Sequence, residues 1–242
     1  MPSDDGGSFT EAAAVGVFGG ALGALVGWPI GLAVPFGVVA AANGIVSGWQ
    51  RVYDWESPKG CTAAVLDSTW SLPMTTAALF ANAVGAATQG GYVDDLSRRA
   101  NRHVYQRGFQ PRKGFAITLG NVISGAADTS KPRRRRLITD HEDVHVWQAR
   151  WLGPLYPIVY VGWMAAAGAV GSIAWVVRHR DHPLGKVVET YAYYLNPLEW
   201  WAYSRDDHWP PGGKLAGIGW KHPAVRSFSS IRRGRGAPAE PH

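Results

Sequence analysis

The first strong pattern along the chain is a lack of charge. From Ala12 to Gln50 there is no Asp, Glu, Lys or Arg, a run of 39 residues. One bilayer crossing needs about 20. Pro29 and Pro35 divide the run. A helical hairpin is therefore predicted, with arms from Ala12 to about Trp28 and from about Phe36 to Trp49. Gly16, Gly20 and Gly23, and Gly19, Gly23, Gly27 and Gly31, recur at three- and four-residue spacing. Small residues so spaced let helices approach closely in lipid, within one chain or between copies. Trp70 to Tyr92 is again uncharged but rich in Ser, Thr, Asn and Gln. It predicts a buried or interfacial helix from about Met74 to Thr88, or a third span. Residues 103–109 and 114–120 alternate bulky with other residues, which predicts two strands joined as a hairpin through 110–113. Asn121 to Thr129 is rich in turn residues.

A second uncharged run, Leu155 to Val177, has 23 residues and is long enough to cross a bilayer. His182-Pro183-Leu184-Gly185 predicts a turn after it. A helix should return over Lys186 to Tyr203, interrupted at Asn196-Pro197. The tail after Pro210 is rich in Gly, Pro and Arg, and loose order is expected from about Ser227. The fold class expected is mainly α, a membrane-associated helical protein with a small β-hairpin. Four regions follow: a Gly/Ala-rich membrane hairpin (1–50), a helical linker or further membrane or interfacial helix (51–97), a metal-site domain (98–209) and a basic tail (210–242).

Composition narrows the classes. Hydrophobic residues are 46% and charged residues 17% of 242, against about 25% charged in typical soluble domains. That excludes a disordered chain. The first residues are acidic and lack a basic n-region, so no signal peptide is expected. Cys61 is the single cysteine, which excludes an intrachain disulfide and cysteine-based metal sites. Any metal must be held by His, Asp or Glu. The net charge is +6. Basic residues gather at Arg98, Arg99, Arg102, Arg107, Arg112 and Lys113, and again at Lys131 and Arg133 to Arg136. Aromatics are not interleaved with them in a stacking pattern, which disfavours nucleic acid. A solvated face near anionic headgroups is expected, on the cytoplasmic side by the positive-inside rule. The Ala-, Gly- and Arg-rich composition suggests a bacterial source, hence the inner membrane.

The chemistry lies at His141-Glu142-Asp143-Val144-His145, an H-E-x-x-H motif. On a helix, positions i and i+4 share a face, so His141 and His145 can reach one metal ion. Two imidazoles plus a carboxylate with one open position make a catalytic zinc site. Glu142 would then take a proton from the attacking water and pass it to the leaving group. With 8 His and 6 Glu, chance placement yields the motif about 0.006 times per chain. Thr139 to Glu142 also reads as a capping box, with a helix starting near Asp140. A plainer alternative follows from it: Glu142 is only a cap partner and the histidines only polar residues on a helix face. Glu189, Glu199, His182 and His208 are the downstream candidates for a third ligand.

His141-Glu-Asp-Val-His-Val-Trp-Gln148 resembles the motif helix of zincin metallopeptidases. More closely, it is similar to a group of small bacterial proteins with H-E-x-x-H-x-x-Q, a hydrophobic helix, then N-P-x-E-x-x-A. The second part reads here Asn196-Pro-Leu-Glu199-Trp-Trp-Ala202, and the similarity covers about residues 115–203. The resemblance implies that Glu199 is the third ligand, as in glutamate-type zincins. The interval from His145 to Glu199 is 54 residues, long for the group, and Tyr203 stands where a glutamate zincin has Asp. Glu189 therefore stays open as a rival. The strand at Phe115 to Leu119 fits the edge strand with which zincins pair an extended peptide, or an ordinary core hairpin.

One crossing by 155–177 would part the ligands by about 34 Å. The segment must either stay on one side or be followed by a returning helix. The function expected is a membrane-associated zinc metallopeptidase acting on a peptide or protein. The alternatives are a noncatalytic membrane protein with a structural metal, or a basic membrane adaptor.

Overall fold

The computed structural model describes residues 8–110, 114–206 and 209–225. Two compact units divide the chain, Met1–Tyr156 and Pro157–His242. The fold is mainly helical with one small sheet.

The first unit opens with the helical hairpin, α1 (Phe9–Gly27) and α2 (Ala33–Trp49). Ser8 caps α1, its side-chain oxygen accepting from the Glu11 amide at 3.2 Å. A single 3₁₀ turn, Trp28–Ile30, ends at Gly31 with φ 73°, a left-handed conformation that favours glycine. The arms meet through glycine. A β-carbon on Gly23 would lie 2.5 Å from the Phe36 carbonyl oxygen, and one on Gly48 2.6 Å from that of Glu11. The larger apolar side chains turn outward, with Val17, Leu25, Trp28 and Val34 each at least 70% exposed.

The body of this unit follows as α3 (Pro58–Ser68), α4 (Leu72–Ala87) and the short α5 (Asp94–Ser97). Then come β1 (His103–Tyr105), β2 (Ile117–Leu119) and β3 (Val122–Ser124). The sheet order is β1-β3-β2. The predicted hairpin between 103–109 and 114–120 is corrected here. β1 pairs in parallel with β3, and the antiparallel hairpin is β2–β3. Its two-residue loop is Gly120-Asn121, with Gly120 at φ 55°, a position where tight hairpins favour glycine. The strand β3 lies inside the stretch expected to be turn. Of the expected joining loop, residues 111–113 lie outside the described residues, as does the tail from 226.

Helix α6 (Pro132–Arg136) leads into a π-helical segment, Leu137–Glu142, and then α7 (Asp143–Leu152). The expected helix start near Asp140 is also corrected. Pro132 sits at the first helical position, where its missing N–H costs nothing. Thr139 therefore caps nothing and donates to Asp140 Oδ1 at 2.8 Å.

Polar bonds hold this body together. Arg150 of α7 and Asp67 of α3 form a fully buried pair with two N–H···O contacts of 2.8 Å. The Tyr53 hydroxyl and the Asn121 amide donate to the same carboxylate. Asn43 of α2 bonds Tyr53 and Asn121, and Ser47 of α2 meets His103 Nε2 at 3.0 Å. The basic clusters are largely engaged in structure. Arg99 pairs with Glu11, Arg102 with Asp143 and Arg135 with Asp95, while Arg134 donates to the Gly125 and Ala126 carbonyls.

The helix α8 (Leu155–Arg178) begins at the end of the first unit. In the second unit the chain turns back as α9 (Leu184–Glu189), a π-helical segment Thr190–Tyr194, and α10 (Pro197–Arg205). Gly171 of α8 admits Tyr191, whose β-carbon would lie 2.9 Å from one on the glycine. Asn196 caps α10, accepting from the Leu198 amide at 3.0 Å. Trp200 stacks on Trp220 at 4.2 Å. Phe9–Ile30 and Leu155–Arg178 are long and apolar enough to cross a membrane, and only 28% and 6% of their apolar windows are buried.

Candidate metal centre

His141 lies next to the end of the π-helical segment and His145 in the first turn of α7. Both rings are buried, at 2% and 5% exposure. Their Nε2 atoms face each other at 3.3 Å. Two nitrogens each about 2.05 Å from a tetrahedral zinc ion stand about 3.3 Å apart.

The neighbours of His145 distinguish its two ring nitrogens. Its Nδ1 lies 2.9 Å from Gln148 Oε1 and 3.3 Å from the Tyr156 hydroxyl. An amide oxygen only accepts, so Nδ1 carries the proton and Nε2 keeps its lone pair. That lone pair points at the second imidazole, where a cation would be stabilised.

Glu142 is buried beside the pair, and its Oε2 accepts from the Thr118 hydroxyl at 2.7 Å. Thr118 stands on β2, an edge strand of the sheet. The start of α7 is held from outside by Asp143, which pairs with Arg102 at 2.5 Å and with Lys59 at 3.8 Å.

Glu199 is 2% exposed on α10, and its Oε1 accepts from the Tyr160 hydroxyl at 2.6 Å. His141 and His145 in the first unit and Glu199 in the second each offer a buried ligand atom. Two imidazoles and a carboxylate are a donor set that suits a divalent metal ion. Glu189 is instead paired with Lys186 at 3.2 Å. His182 is half-buried beside Asp181, and His208 lies outside the described residues. Near Glu199, burial and then that carboxylate hold the Tyr193 hydroxyl well above its usual pKa.

No family model, curated protein or solved structure matches the chain. The resemblance to the zincins rests on the motif residues themselves.

Sequence reasoning named both histidines, Glu142 and Glu199, but missed their supports. Gln148 was already part of the H-E-x-x-H-x-x-Q pattern but carried no assigned role, although it lies three residues after His145 on the same helix face. Thr118 and Tyr160 had none, because their roles depend on pairing and packing across distant segments. The π-helical segments before His145 and before Glu199 also left no mark in the hydrophobic pattern, although such segments are frequent at functional sites.

Proposed function

We propose that the chain is a membrane-associated metallopeptidase whose zinc is held by His141, His145 and Glu199. The observation that carries this is the 3.3 Å approach of the two imidazole nitrogens, with His145 oriented for binding by Gln148. When bound, zinc supplies Lewis acidity that polarises an amide carbonyl and makes water acidic near neutral pH.

The chain's own residues do the rest. Glu142 takes a proton from the water as its oxygen bonds to the carbonyl carbon. The C–N bond then breaks, and Glu142 returns the proton to the leaving nitrogen. Thr118 holds Glu142 Oε2, which leaves Oε1 to carry the proton. The free edge of β2 suits an extended peptide, whose backbone would add as a further strand. The location is assigned to a membrane because the large apolar side chains of α1, α2 and α8 face outward.

A closed structural site is the second reading, favoured by the burial of all three ligand residues. A hydroxamate chelator discriminates, since it needs an open coordination position. Under the peptidase reading the purified protein binds it. Glu142→Gln is expected to retain zinc and lose peptide hydrolysis. Retained hydrolysis removes Glu142 from the base role.

A further inference from the structure

Resting on the membrane assignment above, we infer that the distal half of the α1–α2 hairpin inserts into a single leaflet, with the tip remaining among acyl chains. The proximal half is built into the polar body. Val15 packs with Tyr53, Ala63 and Ala64, while Asn43 and Ser47 bond Tyr53, Asn121 and His103. The distal half has no such ties. From Gly20 to Val39 the only buried residues are Gly23 and Gly27, and their nearest neighbours lie on the opposite arm for Gly23 and at the start of that arm for Gly27.

Length then decides how far the insert reaches. Gly20 to Gly27 is eight residues, about 12 Å of helix. The hydrocarbon core is about 30 Å thick. The free part of the hairpin is therefore matched to one leaflet.

The chemistry of the tip agrees. Leu25, Trp28, Ile30, Val34 and Val38 are all at least 62% exposed, and no charge lies between Ala12 and Gln50. A tip that emerged into water on the far side would leave Trp28, Ile30 and Leu32 facing solvent with no polar anchor. Four backbone donors around the turn have acceptors within the hairpin, as lipid favours. Trp28 donates to the Ala24 carbonyl, Gly31 to that of Trp28, Leu32 to that of Gly27 and Phe36 to that of Leu32. Pro29 and Pro35 have no donor to satisfy.

The lone cysteine makes the test direct. Cys61 is exposed on α3 and reports the side on which the body lies. In sealed membranes of expressing cells, an impermeant maleimide should label Cys61 of the wild-type chain from one side only. In a Cys61→Ser background, Ile30→Cys should be labelled from neither side until denaturing detergent is added. A fluorophore on that cysteine, in phosphatidylcholine–phosphatidylglycerol vesicles, should be quenched by nitroxides on the acyl chains. Labelling of Ile30→Cys from the side opposite Cys61 would establish a crossing hairpin and overturn the inference. Labelling from the same side as Cys61 would show that the tip is not inserted. Protection without nitroxide quenching would mean that a second copy covers the tip, and also overturns it. Release of the whole chain by alkaline carbonate is a separate result, and removes the membrane assignment itself.

Discussion

The two halves of the first unit are packed on opposite plans. In the α1–α2 hairpin the small residues are inside and the large apolar ones outside. In the body around α7 a charged pair, Arg150 and Asp67, is wholly inside. Water drives neither arrangement by itself. A hairpin that exposes Val17, Leu25 and Trp28 forfeits apolar burial at about 25 cal/mol per Å² unless lipid covers it. Its helices gain instead from close backbone contact at glycine, as membrane helices do. In the body, directional bonds are added to an apolar core that includes Val104, Ile123, Ile138 and Val146. Five side chains, Asn43, Tyr53, Asp67, Asn121 and Arg150, share one network, so hydrogen bonds help to set the orientation of α7 and with it His145.

The largest expected effect comes from breaking the network on one side. Asp67→Ala leaves Arg150 buried without its carboxylate and should cost about 3–5 kcal/mol. Paired Asp67→Leu and Arg150→Met should recover most of that loss, as read by denaturant unfolding in mild detergent. If the single variant costs nothing, the network is not what holds α7.

The hairpin makes the complementary test. A side chain at Gly44 would meet the Val15 carbonyl oxygen, a backbone atom that cannot step aside. Gly44→Val should cost about 1–3 kcal/mol in the same assay. A cost near zero would show that the arms are not in backbone contact.

A smaller effect is expected from pH. His103 is fully buried between Ser47 and Tyr92. Burial, and then the nearby Arg150 charge, lower its pKa to about 3 from an ordinary 6.5. The unfolded chain therefore binds a proton that the folded chain does not. Stability is complete above about pH 6.5 and falls as the pH drops towards 3. The slope from this one site approaches about 1.4 kcal/mol per pH unit within that window. Unfolding of the wild type and of His103→Gln between pH 6.5 and 5 checks it, and the variant should lose this slope. An identical slope in the two would place the titration elsewhere.

The smallest effect belongs to the outward face. Val26→Ser removes an exposed methyl pair and should change stability in detergent by less than about 0.5 kcal/mol. A loss comparable to that at Gly44 would mean that Val26 is covered within the chain, contrary to the inverted packing.

The contrast also explains what could be read from sequence. Runs without charge marked the helices well: α1, α2, α4 and α8 lie within a few residues of the predicted spans. The break at Asn196-Pro197 is where it was expected. The His141–His145 pair was legible because positions i and i+4 share one helix face, and the Asn196-Pro197-x-Glu199 pattern drew attention to a carboxylate that the structure buries. Sheet pairing was not legible in the same way. Alternation marks a strand but carries no information about its partner, so β1 was joined to β2, although Gly120-Asn121 is itself a two-residue hairpin signal. Arg150 and Asp67 left no trace either. A buried ion pair between residues 83 positions apart looks in sequence like two surface charges.

The central claim is that His141, His145 and Glu199 hold a metal ion. Its most direct test is the metal content of the detergent-purified full chain, by elemental analysis, beside His145→Ala. About one zinc per chain in the wild type, lost from a folded His145→Ala protein, is the expected result. A folded wild-type chain that contains no metal, and takes none up from added zinc, would contradict it.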